Sequence, residues 1–288
     1  MESFTEKKDS KKPIQEKDDE STEEKEEKEG KEEEEEKEEK TGKEQKEKEI
    51  PLCWKKDVRL YIYLARNKNV RRAVILRRGP SRLWEMILWT WKPNGRDHSF
   101  QRGQWLKDSK IYPERCDLSP SGTHFLYFVL QGRNKLFSWS AVSRPPFFTA
   151  VSLWSAGDTW FGGGCFDGSD NRLLLDLGSQ EHIPKISPPS HVKVTLDPPQ
   201  RQGTPRSIEA YSPRFIFSSD HSTNEESVPV LSELSHNASV VARGASLVLL
   251  LPSNPQTDDE KLFETVLADF THDVFEPVPC PDSYRYWS

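Results

Sequence analysis

Between Arg115 and Leu130 the chain reads R-C-D-L-S-P-S-G-T-H-F-L-Y-F-V-L, a tight-turn signal and then an unbroken apolar run. In the turn Ser119-Pro120-Ser121-Gly122, Pro120 presets φ at the first corner and Gly122 tolerates the backbone angle that closes it. The run 125–130 is aromatic and β-branched with no polar alternation, which predicts a strand covered on both faces. A chain containing such a strand must supply a layer of structure on each side of it.

The same punctuation recurs along the middle of the chain. Strands are predicted at 58–64, 73–77, 83–91, 125–130, 136–142, 147–154 and 171–177. Between them stand Lys92-Pro93-Asn94-Gly95, Gly132-Arg133-Asn134-Lys135, Pro145-Pro146 and Gly157-Asp158, each a turn or a forced extended break. Short strands with turn signals every ten or so residues describe a mainly β fold of antiparallel sheets, blade-like (a partial propeller) or sandwich-like. Residues 51–180 are read as this β domain. Residues 181–226 gain Pro and Ser and read as linker-like, with one short strand at 191–196. Residues 227–288 are expected to pack on the β domain as a strand at 239–251, with a bulge or turn at Gly244, and one helix. That helix follows a capping box from Thr257 to Glu260, with Leu262, Phe263, Val266, Leu267 and Phe270 along one face.

Charge is segregated. Residues 1–50 hold 22 acids against 13 bases in Lys/Glu low complexity, too few apolar side chains to offset chain entropy, and predict a disordered tail. The rest holds 28 bases against 25 acids, so the net charge of −6 belongs to the tail. Residues 55–115 carry 16 bases against 5 acids, interleaved with Tyr and Trp. Cations attract phosphates and exposed rings stack on unpaired bases, which is a polyanion signature; the acidic tail then becomes an intramolecular screen. The opposing consideration is that strand Trp and Tyr are ordinarily core and strand-end Arg ordinarily snorkels.

From residue 73 to 166 the chain resembles a family of uncharacterised bacterial proteins. The shared features are R-R-G-P-S at 77–81, G-Q-W at 103–105, I-Y-P-E-R-C-D-L-S-P-S-G at 111–122, S-W-S-A-V-S-R-P-P-F-F-T-A at 138–150 and L-W-S-A-G-D-T-W-F-G-G-G at 153–164. The resemblance brings no activity with it. A weaker one, to WD-type or TolB-type propeller blades, rests on Ile87-Leu88-Trp89-Thr90-Trp91 and the 119–122 turn, with Thr90 standing where the blade motif has Asp.

The chain carries only fragments of several catalytic and metal signatures. Gly162-Gly163-Gly164 lacks the G-K-[ST] of a phosphate loop and instead marks close backbone approach. Asp167, Ser169 and Asn171 have EF-hand spacing, but Arg172 takes the glycine position and Gly178 the bidentate glutamate. The seven histidines form no ligand pair, and the four cysteines no C-x-x-C. Asp117 and Asp158 stand at turns, where Asp caps amides. A Cys–His nucleophile from Cys116 or Cys165 with His124 is the enzymatic reading, placed third. The sequence implies no cofactor and no metal.

The leading expectation is a non-enzymatic interaction module with a protein partner; the alternative is nucleic-acid or other polyanion binding. Arg71, Arg72, Arg77, Arg78, Arg82 and Trp91 are the expected contacts, with the 143–148 break as further contact surface and Ser119, Pro120 and Gly122 as the structural turn. No run of apolar residues approaches the roughly 20 a spanning helix needs, and no secretory leader is read, so a soluble intracellular setting is expected.

Overall fold

The computed structural model describes residues 58–132, 136–177, 184–196, 215–219, 227–234, 238–252, 262–271, 273 and 275–287. The acidic tail and the capping box at Thr257 lie outside these. Residues 51–288 form one compact unit, and its described residues are mainly β and make four sheets.

The first sheet has the order β13-β1-β2-β3-β4, with β1 Arg59–Leu64, β2 Arg72–Arg78, β3 Trp84–Trp91, β4 His98–Leu106 and β13 Phe215–Ser219. The second runs β5-β7-β8-β9, with β5 Lys110–Ile111, β7 Phe125–Leu130, β8 Ser138–Ser143 and β9 Ala150–Ser155; β6 Asp117–Leu118 also pairs with β7. The third is β10 Gly164–Phe166, β11 Arg172–Leu175 and β12 Lys193–Leu196, the last pair parallel. The fourth is β14 Val228–Leu234, β15 Ala238–Arg243, β16 Ser246–Pro252 and β17 Leu262–Asp269.

These sheets stack face to face in the order fourth, first, second, third. Alternation of side chains makes this possible: on β2, Ala73 and Ile75 face the fourth sheet while Val74 and Leu76 face the second. Trp89 and Ile87 fill the first–fourth core with Val240, Leu247 and Leu249, whereas Trp84 and Met86 fill the first–second core with Phe125, Tyr127 and Val129. Leu126 on the other face of β7 joins Phe166, Leu173 and Leu175 in the second–third core. The apolar run 125–130 is therefore buried on both faces, as its composition requires. The packing is that of stacked sheets, and the described residues close into neither a barrel nor a propeller.

The turn at 119–122 stitches three sheets. Gly122, at φ +69, donates its N–H to Ser119 O at 2.8 Å, and the Ser119 hydroxyl accepts from Thr123 N and His124 N at 3.2 and 3.1 Å. Outward, Pro120 O accepts from Asn67 N at 3.2 Å, and Asp170 Oδ1 accepts from Ser121 N at 3.0 Å. The Gly162–Gly164 run does bring backbones together: a Cβ on Gly164 would lie 2.1 Å from Leu174 O.

Two expectations are corrected. Residues 262–269 form strand β17, not a helix. In the strand the apolar residues of that stripe do not share one face: Phe263 and Val266 pair with Leu251 and Val248 and are exposed, whereas Leu267 and Phe270 reach the first–fourth core. The apolar partner β16 supplies the pairing that overrides local helix preference. The short strand expected at 191–196 forms as β12, but the rest of 181–226 is not simply linker-like, because β13 lies in it and pairs with β1 over five residues. At Gly244 the expected bulge or turn is a turn, and it folds 239–251 into the hairpin of β15 and β16.

Candidate docking site

The site is assembled at the edge strand β4 and the C-terminal segment that follows β17. On β4, Trp105 pairs with Glu85 and Arg102 with Ile87, so Gly103 and Gln104 together oppose Met86 alone. This bulge changes the geometry of the strand. Residues three apart ordinarily point to opposite faces, but here Arg102 and Trp105 share the face that Glu85 and Ile87 present to the fourth sheet.

Around them lies a buried charge cluster. Arg102 donates from Nε and Nη2 to Glu85 Oε1 and Oε2 at 2.8 and 2.9 Å, a bidentate pair. Asp273 reaches in from beyond β17, with Oδ2 against the Arg102 guanidinium and 3.2 Å from Arg77 Nε. Arg77 Nε also donates to Phe270 O at 2.6 Å, and the Arg77 guanidinium lies 5.6 Å from the Trp105 ring centre. Burial pushes the Glu85 carboxyl up to about 7 even though Arg102 beside it pulls the other way.

Beyond the cluster the chain continues as a strap, residues 275–287. Phe275 meets Trp105 edge-on at 5.8 Å and lies under Lys107 Nζ at 3.4 Å. Two clefts flank this Trp105–Phe275 pair. One, of about 540 Å³, is lined by Glu85, Arg102, Asp273 and Glu276 besides the rings. The other, of about 420 Å³, is lined by Gln104, Leu106, Phe148, Pro277, Val278 and Pro279 besides the rings. A charged trough and an apolar trough thus share one aromatic wall.

The residues expected from sequence to form the contact surface are dispersed. Arg77 is 2% exposed and built into the charge cluster, so it is corrected from a surface contact to an interior residue. Arg71 and Arg82 are exposed. Arg72 is half-buried with its stem against Gly122, and Arg78 is half-buried over the Trp84 ring at 5.9 Å. Trp91 packs on Trp89 at 4.8 Å and borders the first–fourth core. The arginines therefore belong to opposite ends and opposite faces of β2. At the 143–148 break, Arg144 and Phe147 meet the chain's own strap.

The Cys–His arrangement does not assemble from Cys116. Its thiol donates to Tyr112 O in the first–second core and is pushed up to about 12 by burial, whereas the His124 ring touches Thr123 and Trp287. Asp117 and Asp158 accept backbone amides, from Phe166 at 2.7 Å and from Trp160 and Phe161 at 3.0 and 3.2 Å. Among the described residues no His/Cys/Asp/Glu group could hold a metal ion, and no helix is long and apolar enough to cross a membrane.

Sequence reading missed Glu85, Arg102 and Asp273. A faint signal existed for the first: Glu85 is the one acid inside L-W-E-M-I-L-W-T-W, where a carboxylate must find a cation. No family model, curated protein or solved structure matches this chain.

Proposed function

We propose that the chain is a non-enzymatic docking module that holds an extended segment of a partner protein against Trp105. The observation that carries this reading is the pair of clefts either side of the Trp105–Phe275 rings, one apolar and one charged. Aromatic and proline walls favour an extended, proline- or aliphatic-bearing segment whose backbone is already ordered. Glu85, Asp273 and Glu276 line the charged cleft with Arg102, and Arg77 pairs with Asp273 behind them, so a polar residue that hydrogen-bonds with this cluster fits next to the apolar one.

Peptide display against the full chain, with the Trp105→Ala variant as counter-selection, tests the reading. Proline- or aliphatic-containing peptides should be enriched, and Trp105→Ala should weaken them by at least about 10-fold, as for an aromatic hot spot. Enrichment of no peptide that depends on Trp105 would overturn it. Polyanion binding receives less support, because Arg77 is interior and Arg72 and Arg78 stand roughly 20 Å apart along β2. Steep salt-dependent retention on heparin, lost on replacing Arg71 and Arg82, would favour that alternative instead.

A further inference from the structure

The far end of the strap fills a second seat, and that seat is not fully matched by its occupant. Tyr284 packs edge-on against Phe147 at 4.8 Å, with the Arg144 guanidinium 4.9 Å from its ring. Trp287 stacks on His124 at 4.3 Å and donates from its indole N–H to Ser152 Oγ at 2.9 Å. Between the rings, Arg144 Nη1 donates to the backbone carbonyls of Ser283 and Tyr286, at 2.5 and 3.4 Å. The seat therefore reads two rings three residues apart and the main chain between them. That chemistry does not depend on the other side chains; Asp282, Ser283, Arg285 and Tyr286 are all exposed.

Beneath Trp287, His124 is 2% exposed, and its Nε2 has no hydrogen-bond partner among the described residues. Its Nδ1 is engaged by Thr123 Oγ1 at 3.0 Å. Leaving such a group unmet is costly, so the indole occupies the seat without satisfying the nitrogen beneath it.

We propose that the Tyr284–Trp287 seat is an exchangeable peptide site whose occupant in trans is a partner protein segment. That segment carries two aromatic residues three apart, the second with a polar group that reaches His124 Nε2. A second copy of this chain would bring the same indole and leave the same nitrogen unmet, which is why a foreign segment is the occupant. The seat deepens the docking-module reading and rests on it, but it is separate from the Trp105 clefts and is tested without them.

The test uses the full chain with Tyr284→Ala and Trp287→Ala together, and a labelled peptide P-D-S-Y-R-Y-W as probe, followed by fluorescence anisotropy. The vacated variant should bind the probe about 30- to 1,000-fold more tightly than the wild type, whose own strap competes at high effective concentration. Replacing either ring of the probe by Ala should cost at least about 10-fold. A seven-residue library with fixed ring spacing should yield binders tighter than the probe, and that gain should vanish in His124→Phe. Where the double variant loses its fold, hydrogen exchange on the wild type serves: millimolar probe should deprotect residues 283–287. Equal binding by vacated and wild-type chains, no binding by a folded vacated variant, no deprotection, or concentration-dependent dimers exchanging the strap would each overturn the proposal. A negative result here with Trp105-dependent peptides still enriched leaves the docking module standing and removes only this seat.

Discussion

Gly103→Ala tests the contact on which the bulge, and with it the docking site, depends. A Cβ at this position would lie 1.9 Å from Pro146 O, 2.4 Å from Pro146 Cβ and 2.6 Å from Met86 O. None of these is the movable tip of a side chain, so either β4 or the loop containing Pro146 must retreat by more than about 1 Å to reach ordinary contact distance. Overpacking of this kind costs about 1–3 kcal/mol. The retreat also breaks the Gln104 N to Pro146 O bond of 3.0 Å, adding about 1 kcal/mol. A loss of about 2–4 kcal/mol follows, which at about 2–4 °C per kcal/mol lowers Tm by roughly 4–16 °C in calorimetry. Gly132→Ala is the control, since Gly132 has φ +70 but nothing within 4 Å of the added carbon. It should cost only the left-handed strain, about 1 kcal/mol. If Gly103→Ala melts no lower than Gly132→Ala, the close approach of β4 to Pro146 is wrong, and the facing of Arg102 and Trp105 goes with it.

Ser119→Ala removes a buried hydroxyl that accepts two amides, and should cost about 2 kcal/mol by urea unfolding followed through Trp fluorescence. The Cys116 thiol, raised to about 12, should resist thiol reagents at pH 8 in the native state and react at once in denaturant. Glu85 and His124 impose opposite pH dependences. Burial raises Glu85 from 4.5 to about 7, so the folded state holds the extra proton and the contribution of Glu85 to stability falls as pH rises through that window, by about 3 kcal/mol. Burial lowers His124 from 6.5 to about 4, so its contribution falls as pH drops from 6.5 towards 4, by a similar about 3 kcal/mol. Unfolding free energy should therefore change little between pH 5 and 6.5 in the wild type, rise with pH in Glu85→Gln and fall with pH in His124→Gln; parallel profiles for all three would refute both assignments.

What the sequence disclosed and what it concealed divide along the range of the interactions. The 119–122 turn, the hairpin at Lys92–Gly95 and the doubly buried run 125–130 were readable because their causes are local: a proline corner, a glycine φ, a run with no polar face. The bulge at Gly103 was half readable, since a lone glycine in a strand is a bulge signal, but its consequence for Arg102 and Trp105 needs the partner strand. Arg77 looked like surface because its partners, Phe270 O and Asp273, lie 193 and 196 residues away. Strand β13 was invisible for the same reason: F-I-F-S-S, alone in a Pro/Ser-rich stretch, becomes a strand only beside β1. The helix expected at 262–270 failed because local spacing of apolar residues cannot show the long ladder with β16 that decides the segment.

The strap links the candidate site to the fold. It begins at the rim of the first–fourth core, where Asp273 meets Arg77 and Arg102, and ends at the second–third core, against which Trp287 packs. It thus passes the edge of every seam in the stack, and its closure has a finite strength that can be bounded. Two ring contacts contribute about 0.5–1.5 kcal/mol each beyond burial, and the Arg144 bonds to strap carbonyls about 1 kcal/mol more. A closing free energy of about 2–4 kcal/mol leaves the seat open in roughly one molecule in thirty to one in a thousand, and apparent affinity in trans falls by that fraction. A segment that satisfies His124 Nε2 recovers about 1–3 kcal/mol that the indole leaves unmet, which is of the same size as the closure. Competition at this seat is therefore decided by the one nitrogen the strap does not reach.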